Sequence, residues 1–290
     1  MSFQSTLVCP VCGASLARTE KVCSCPAGHS FDISRKGYVN LLLSSSRGHH
    51  GDDALMVKAR TGFLSRGYYD RFSAELCQAA GDYCGFSGNS SISVIDAGCG
   101  EGKYTMDLFR YLLSLGYSAH MLGIDISKDA VSSLAGKSRA LKGVSPDSEI
   151  ISVVASTADM PIPDCCSDIL LNVFSPFFAD EFRRVLKPGG IIVRAVPLEN
   201  HLIELKRLVY DKVYLNDVPG YEEEGFTIEE KREVKYRISL TDREDIHNLF
   251  MMTPYFYKTG ENDQKKLDNA HHLEISLEFR IIIYRKSCIG

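Results

Sequence analysis

The sequence lacks any long apolar run. None of its stretches approaches the roughly 18 consecutive apolar residues that a membrane-spanning helix needs. The N-terminus, from Met1 to Leu7, has neither a cationic start nor an apolar segment, so nothing there resembles a secretory signal. These two absences argue against a membrane-embedded or exported protein, and we expect a cytoplasmic protein with no membrane partner.

The chain also lacks an excess of positive charge, since its formal net charge is −4 at pH 7. This balance argues against attraction of nucleic acid by the whole surface, but a local basic patch is still compatible with it. Basic residues outnumber acidic ones in the first 60 positions, whereas the rest of the chain is acidic. At 290 residues, 44% of them hydrophobic, the chain suits one large domain with small additions at its ends.

Cysteine is unevenly distributed, because four of the ten cysteines lie within the first 25 residues. Without a secretory signal, metal binding or burial is favoured over disulfides. The spacing C-x2-C, twelve residues, then C-x3-H suits a tetrahedral zinc ion held by Cys9, Cys12, Cys25 and His29. A complete set of four ligands leaves no position for water, so the zinc would be structural. Cys23 could replace Cys25, but we favour Cys25 because the turn after it leads directly to His29.

The sequence pattern divides the chain into three segments. Residues 1–43, rich in Cys, Gly and Ser, are predicted to form a small zinc-binding module that could not fold unaided. Residues 44–90 are predicted to be a polar linker followed by a helical lead-in, which Gly62 and Gly67 interrupt. Residues 91–290 are predicted to form one α/β domain.

Short apolar runs rich in β-branched residues alternate with amphipathic stretches in the third segment. The runs are Ile92–Asp96, Met121–Asp125, Ile151–Ala155, Ile169–Val173 and Gly190–Ala195. The amphipathic stretches are Tyr104–Leu115, Lys128–Leu141, Ala179–Val185 and Glu199–Tyr210. This alternation predicts a mostly parallel, doubly wound Rossmann-like sheet with helices on both faces. Two further strands are predicted at Glu233–Leu240 and Glu274–Arg285, and the last should run antiparallel because its side chains alternate between apolar and polar.

The strongest local signal is the segment V-I-D-A-G-C-G-E-G-K at residues 94–103, where a strand ends at Asp96 and a helix starts after a glycine turn. Gly98 and Gly100 permit positive φ and let a ligand lie against the backbone. The third glycine, Gly102, comes one residue earlier than in a dinucleotide site. Asp96 would also repel a pyrophosphate, but it can orient the ammonium group of a bound amino acid.

Two further acids follow the next two strands. Asp125 ends the second strand and can accept hydrogen bonds from both hydroxyls of a ribose. Asp159 follows the third strand, where it can accept from an adenine amino group while Met160 covers the ring. Any one of these acids could be an ordinary turn residue, but acids at successive strand ends describe a nucleoside joined to an amino acid. We therefore predict S-adenosylmethionine as the cofactor, and the pattern resembles that of the Rossmann-like, class I methyltransferases.

Blocks along nearly the whole chain resemble, in the same order, the bacterial 23S rRNA guanine-N1 methyltransferases. These blocks are the cysteine and histidine set, Phe31–Asp32, Lys36–Leu42, Asp96–Gly102, Asn172–Pro176, His201–Lys206 and Met252–Tyr255. The resemblance implies zinc at that set and cofactor contacts from Gly100, Glu101, Tyr69 and His201. From the residues alone, Tyr69 suggests a core aromatic and His201 a helix-surface residue. The resemblance also implies a homodimer whose two zinc modules frame a groove for an RNA hairpin.

The implied reaction is methyl transfer from the cofactor to guanine N1, on a base that is unpaired or flipped out of its stack. Asn172 lies where the fourth strand leaves the sheet, so we place it in the cofactor site, where it can also hydrogen-bond the base. Phe174, Phe177 or Phe178 can stack on that base. Glu101 and His201 are possible general bases on chemistry alone, and the catalytic residue is therefore left unknown. No base is assigned.

Two other functions are compatible with parts of the sequence. The catalytic domain alone does not distinguish RNA from a small-molecule acceptor, although the zinc module favours a macromolecule. A zinc-ribbon RNA-binding protein without activity is the second alternative, and the intact glycine turn and acids argue against it. For contacts with the RNA backbone the candidates are Arg18, Lys21, Arg35 and Lys36.

Overall fold

Short strands build an N-terminal module and longer ones a central sheet, in a computed structural model that describes residues 7–43, 51–84, 90–141 and 144–287. The module contains β1 (Ala17–Arg18), β2 (Val22–Ser24), β3 (Ser30–Asp32) and β4 (Val39–Asn40). The later strands are β5 (Ser91–Ala97), β6 (Ser118–Asp125), β7 (Glu149–Val154), β8 (Ser167–Val173), β9 (Leu186–Pro197), β10 (Phe226–Leu240) and β11 (Leu273–Lys286). The helices are α1 (Ala54–Ser65), α2 (Asp70–Gly81), α3 (Lys103–Ser114), α4 (Lys128–Ser138), α5 (Ala179–Val185), α6 (Ile203–Val209), α7 (Arg243–Met251), α8 (Tyr255–Lys258) and α9 (Glu261–Gln264).

The central sheet has the strand order β10-β11-β9-β8-β5-β6-β7-β4. The strands from β9 to β4 pair in parallel, whereas β11 runs antiparallel to both β9 and β10. Strands β5, β6 and β8 are largely buried, as their apolar sequences require when helices cover both faces. The predicted doubly wound sheet with an antiparallel C-terminal strand is therefore confirmed. Within the described ranges, no helix is long and apolar enough to cross a membrane.

The N-terminal module packs against one edge of this sheet. Strands β1, β2 and β3 form a small antiparallel sheet of their own, and β4 then pairs in parallel with β7 through Val39 and Val153. Leu7, Leu16 and Val39 are buried in one hydrophobic cluster with core residues of the large sheet. Because the module shares this core, burial against the sheet stabilises it beyond what its own few apolar residues could provide.

The lead-in segment forms two helices with one break between them. Asp53 caps α1 by accepting hydrogen bonds from the backbone of Leu55 and Met56. The break predicted at Gly67 is confirmed, since this residue has φ of 83° between the two helices. The break predicted at Gly62 is wrong, because Gly62 lies inside α1. A Cβ there would lie 3.0 Å from the amide of Asn248, so the glycine lets α7 approach α1 closely.

Several predicted boundaries in the C-terminal half were displaced. The helix predicted over Glu199–Tyr210 begins only at Ile203, because Leu202 adopts φ of 59° and cannot belong to a right-handed helix. The strand predicted from Glu233 begins earlier, at Phe226. Its first half is rich in charged side chains and alternates exposed with half-buried positions, so it lacks the buried apolar residues that mark the second half. Helices α7, α8 and α9, between β10 and β11, had no predicted counterpart.

Candidate active site and metal centre

The glycine turn after β5 lies against the end of β6. Gly98 has φ of 89°, and a Cβ on it would lie 2.5 Å from the Cβ of Ser175, so no larger residue fits. Its backbone N–H donates to the carbonyl of Ile124 at 2.9 Å. Gly100, with φ of 53°, donates its N–H to Oδ2 of Asp125 at 2.9 Å. The turn is thus held at the carboxyl edge of the sheet, where ligands of open α/β folds bind.

Asp125 is held in a fixed orientation by the backbone. Its two oxygens accept N–H hydrogen bonds from Gly100 at 2.9 Å and from Ser127 at 2.8 Å. Burial raises the pKa of this carboxyl, and these two hydrogen bonds oppose the rise. A carboxylate offers about four acceptor sites, so two remain for hydroxyl groups of a ligand. This arrangement fits the predicted ribose contact.

Asp96 is a buried acid with one unused oxygen. Its Oδ2 accepts a hydrogen bond from Thr105 Oγ1 at 2.5 Å, while Oδ1 has no partner within the part of the chain that the structure describes. Burial raises the pKa of Asp96 to about 7. An unpartnered buried oxygen is costly in a stable fold unless a ligand satisfies it. A ligand ammonium group, with its positive charge and N–H donors, fits this position.

Replacing Asp96 with Asn is expected to stabilise the ligand-free protein at high pH and not at low pH. The pKa of about 7 lies above the usual value near 4. Ionisation of the buried Asp96 carboxyl therefore lowers the free energy of unfolding. This loss begins near pH 4, is complete above pH 7 and reaches about 4 kcal/mol. Urea unfolding at pH 4.5 and pH 8 measures the difference, and the exposed Asp129→Asn is the control. An equal effect of Asp96→Asn at both pH values would contradict the burial of this charge.

Asn172, at the end of β8, is joined to the glycine turn through Ser175. Its Nδ2 donates to Ser175 Oγ at 2.6 Å and to the carbonyl of Pro176 at 3.0 Å. Ser175 Oγ in turn donates to the carbonyl of Ala97 at 2.7 Å. The Oδ1 of Asn172 is buried and, like Oδ1 of Asp96, without a hydrogen-bond partner in the described chain. The site therefore offers unused acceptors at neighbouring strand ends, which suits a cationic ligand and not a pyrophosphate.

Glu101 is close to the turn, but its carboxylate is occupied. The side chain is 2% exposed and forms an ion pair with Lys137. It also accepts the backbone N–H of Lys103 at 3.2 Å. Because Lys137 and the backbone of Lys103 already occupy this carboxylate, the geometry does not favour Glu101 as a general base.

Tyr69 and His201 meet in an aromatic cluster beside the turn. Their ring centroids are 6.4 Å apart, and both rings pack on Phe279. Burial lowers the pKa of His201 to about 3, and its Nδ1 accepts the backbone N–H of Glu278 at 3.2 Å. His201 is therefore neutral at physiological pH and a poor base. Both residues are buried, so the expectation from the residues alone that His201 lies on a helix surface is wrong.

Phe174 is the exposed member of the three candidate stacking residues. It is 44% exposed, has φ of 54° and packs one ring face towards Phe72, with the centroids 5.5 Å apart. A left-handed backbone at a bulky residue is strained and typical of functional positions. Phe177 and Phe178 instead pack on Phe182 and are partly buried against the hydrophobic cluster that contains Leu7, Leu16 and Val39.

The third acid lies in an exposed loop. Asp159 is exposed, in the loop that leaves β7 after Ala155 donates its N–H to the carbonyl of Asp125 at 3.1 Å. Met160 is 1% exposed and belongs to the hydrophobic cluster under the zinc module. The structure therefore puts Met160 in the core, where it cannot cover an adenine ring as expected.

Three cysteines and one histidine converge in the N-terminal module. The ligand atoms of Cys9, Cys12, Cys25 and His29 all lie within 4.8 Å of one another. Cys25 Sγ and His29 Nδ1 are 3.3 Å apart, and Cys12 Sγ lies 3.7 Å from Cys25 Sγ. This donor set and spacing fit a tetrahedral zinc ion. Cys23 is fully buried in the hydrophobic core and lies outside the cluster.

A basic cleft opens where the module meets the large domain. Its volume is about 740 Å³, and its walls come from the module on one side and from α4 and β7 on the other. Three of the four predicted basic candidates, Arg18, Arg35 and Lys36, line it. Arg139 joins them from the end of α4 and donates a hydrogen bond to the carbonyl of Arg35 at 3.1 Å. The negative net charge of the chain thus coexists with a local cationic surface.

One cation near the glycine turn had no signal in the sequence pattern. Arg60, in α1, forms an ion pair with Asp52 and donates to the carbonyl of Met252 at 3.2 Å. Its Nη1 lies 3.5 Å from the position that a Cβ on Gly100 would occupy. In the sequence, Arg60 is one charged residue of an amphipathic helix and does not differ from a solvated one.

Both parts of the chain are similar to known protein families. A family model described as "RlmA, N-terminal", a zinc ribbon, matches residues 7–45, and one described as "Methyltransferase domain" matches residues 88–239. A provisionally assigned 23S rRNA (guanine-N(1)-)-methyltransferase of Micromonospora griseorubida is 38% identical over 69% of this chain and 68% of its own length. One of Bacillus subtilis, also provisionally assigned, is 30% identical over 96% of both chains. The 23S rRNA (guanine(748)-N(1))-methyltransferase of Streptomyces fradiae is 34% identical over 69% of this chain and 66% of its own.

Proposed function

Because the chain belongs to the family of the 23S rRNA (guanine-N(1)-)-methyltransferases, we propose that it methylates N1 of a guanine in 23S rRNA. The observation that carries the proposal is a pair of buried oxygens, on Asp96 and Asn172, that have no partner among the described residues and lie near the ordered carboxylate of Asp125. S-adenosylmethionine, when bound there, supplies an electrophilic methyl group on sulfur. Asp96 and Asn172 accept hydrogen bonds from its ammonium group, and Asp125 accepts from its ribose.

The guanine is the nucleophile in the proposed reaction. The N1–H proton would pass to water, and the electron pair left on N1 would take the methyl group that S-adenosylmethionine supplies, leaving neutral S-adenosylhomocysteine. Glu101 and His201 are poorly suited to take this proton, for the reasons given above, so the enzyme contributes mainly orientation. The exposed ring of Phe174 stacks on the base, and the strained backbone at this residue keeps the ring at the carboxyl edge of the sheet.

The zinc module is the part of the enzyme that binds RNA in this proposal. We propose that one zinc ion, held by Cys9, Cys12, Cys25 and His29, fixes the loops that form one wall of the basic cleft. The backbone of an RNA hairpin then lies in this cleft, in a cytoplasmic complex. We further propose a homodimer, as the family resemblance implies, and sedimentation of the purified protein tests it.

Neutralising the cleft is expected to weaken RNA binding and leave cofactor binding intact. The triple variant Arg35→Gln, Lys36→Gln, Arg139→Gln removes three cations that line the cleft. Each lost phosphate contact reduces the salt dependence of binding, so the slope of log K against log salt should fall by about 2. Filter binding of a 23S rRNA fragment at several salt concentrations measures the slope. The matched control is Lys235→Gln, Arg237→Gln, Arg243→Gln, in β10 at the opposite edge of the sheet and at the start of α7. An equal loss in both triples would contradict the assignment of the cleft.

Primer extension separates the proposed function from its alternatives. The protein is incubated with labelled cofactor and protein-free 23S rRNA, and the RNA is then copied by reverse transcriptase. Because a methyl group on N1 blocks base pairing, the proposal expects a new stop next to one guanine. Label that enters small metabolites but not RNA would favour a small-molecule methyltransferase. Cofactor binding without any transfer would favour a zinc-ribbon RNA-binding protein.

A further inference from the structure

Arg60 lies beside the glycine turn, and the segment before its helix, Gly51 and Asp52, packs against the residues that follow β6. Ser127 Oγ donates to the carbonyl of Asp52 at 2.5 Å, and a Cβ on Gly51 would lie 2.7 Å from the side chain of Ile126. The Arg60 side chain is 24% exposed, so water reaches it only in part. Its guanidinium is therefore positioned between this segment and the glycine turn, next to the acids of the candidate site.

The site is rich in acids, so a cation is needed to bind a carboxylate there. Asp125 and Asp52 give the site negative charge, to which Asp96 adds when it is ionised, and this suits the ammonium and sulfonium groups of the cofactor. The same cofactor also carries an α-carboxylate, which these acids would repel. Two nearby lysines already have acidic partners, since Lys103 is paired with Asp70 and Asp107, and Lys137 with Glu101.

The charge of Arg60 acts on three groups at or near the glycine turn. Burial raises the pKa of Asp125, Tyr69 and Tyr104, and the charge of Arg60 opposes that rise at all three groups. These residues line the glycine turn and the neighbouring aromatic cluster. An arginine at this position can bind a carboxylate through two parallel hydrogen bonds, which a lysine cannot do.

We infer that Arg60 binds the α-carboxylate of S-adenosylmethionine, and that Asp52 occupies the guanidinium when the cofactor is absent. The inference rests on the proposed function, since it assumes this cofactor. Binding then exchanges one carboxylate for another, while the backbone of Asp52 stays anchored on Ser127. Gly100 contributes by leaving space beside Nη1, where a side chain would separate the arginine from the ligand.

Two ligands that differ only in the carboxylate test this inference. Calorimetry measures the affinities of S-adenosylmethionine and decarboxylated S-adenosylmethionine for the full chain and for Arg60→Met. Hydrogen bonds between charged groups are worth about 1.5–3 kcal/mol, so Arg60→Met should weaken S-adenosylmethionine binding roughly 10- to 100-fold. Binding of the decarboxylated compound should stay nearly unchanged. Arg60→Lys, which keeps the charge but not the paired geometry, should give an intermediate loss.

A second variant distinguishes ligand contact from a structural role. Asp52→Asn removes the competing carboxylate and should therefore strengthen binding of S-adenosylmethionine, whereas loss of a merely structural ion pair would weaken it. Arg66→Met is the matched control, because Arg66 follows the same helix but pairs with Asp242 and Asp245. Equal losses for both ligands in Arg60→Met would overturn the inference and leave the proposed function intact. Failure of both ligands to bind the parent protein would overturn the proposed function as well.

Discussion

Removal of zinc is expected to abolish methylation of 23S rRNA while the cofactor still binds. Structural zinc sites contribute about 10–16 kcal/mol of apparent binding free energy in small peptides, far more than the few buried side chains of this module. Replacing Cys12 with Ala should release the metal and unfold β1 to β3, so one wall of the basic cleft is lost. The glycine turn and Asp125 lie in the large domain and should keep their structure. Zinc content, methyl transfer and calorimetric cofactor binding measure the three effects.

Cys23→Ala is the matched control for this experiment. Cys23 lies in the same module and is fully buried, but it is outside the cluster of metal-binding atoms. We expect Cys23→Ala to keep one zinc per chain and to lose only part of the stability that packing provides. Loss of zinc in Cys23→Ala with retention in Cys25→Ala would contradict the ligand set.

Replacing Asp125 with Ala is expected to reduce cofactor affinity at least about a hundredfold, because two charge-assisted hydrogen bonds to the ribose are lost at about 1.5–3 kcal/mol each. The carboxylate also accepts the N–H of Gly100, so its removal frees the glycine turn. Asp125→Asn keeps one oxygen acceptor and should lose less. Calorimetry with S-adenosylhomocysteine, which has the same ribose, measures the affinity.

Asp129→Ala controls for general effects at this strand end. Asp129 is exposed in the first turn of α4, four residues after Asp125, and is expected to leave the affinity unchanged. A thermal unfolding scan of each variant separates lost binding from lost folding. Unchanged affinity in a folded Asp125→Ala protein would contradict an adenosyl pocket at this turn.

Local sequence patterns predicted the parts of the fold and the candidate site that local physics controls. The glycine turn could be recognised because positive φ at Gly98 and Gly100 requires glycine, and the structure has both. The apolar runs predicted the central strands, since burial on both faces leaves no alternation. The cysteine spacing likewise predicted which four side chains converge, although it left Cys23 open.

Contacts between distant parts of the chain could not be predicted in the same way. Arg60 hydrogen-bonds Met252, which lies 192 positions later, and no periodicity marks either residue. Strand β4 consists of two residues, too few for a strand pattern, and it becomes a strand only by pairing with β7. The burial of Met160 and His201 likewise depends on surfaces brought together by the completed fold.

Nucleoside analysis of the modified RNA tests the proposed function most directly. Protein-free 23S rRNA is incubated with the enzyme and methyl-labelled S-adenosylmethionine, digested to nucleosides and separated against synthetic standards. We expect the label to elute with 1-methylguanosine and to disappear with the Asp125→Ala protein. Label in a different methylated nucleoside, or none in RNA while the cofactor binds, would contradict the proposed reaction.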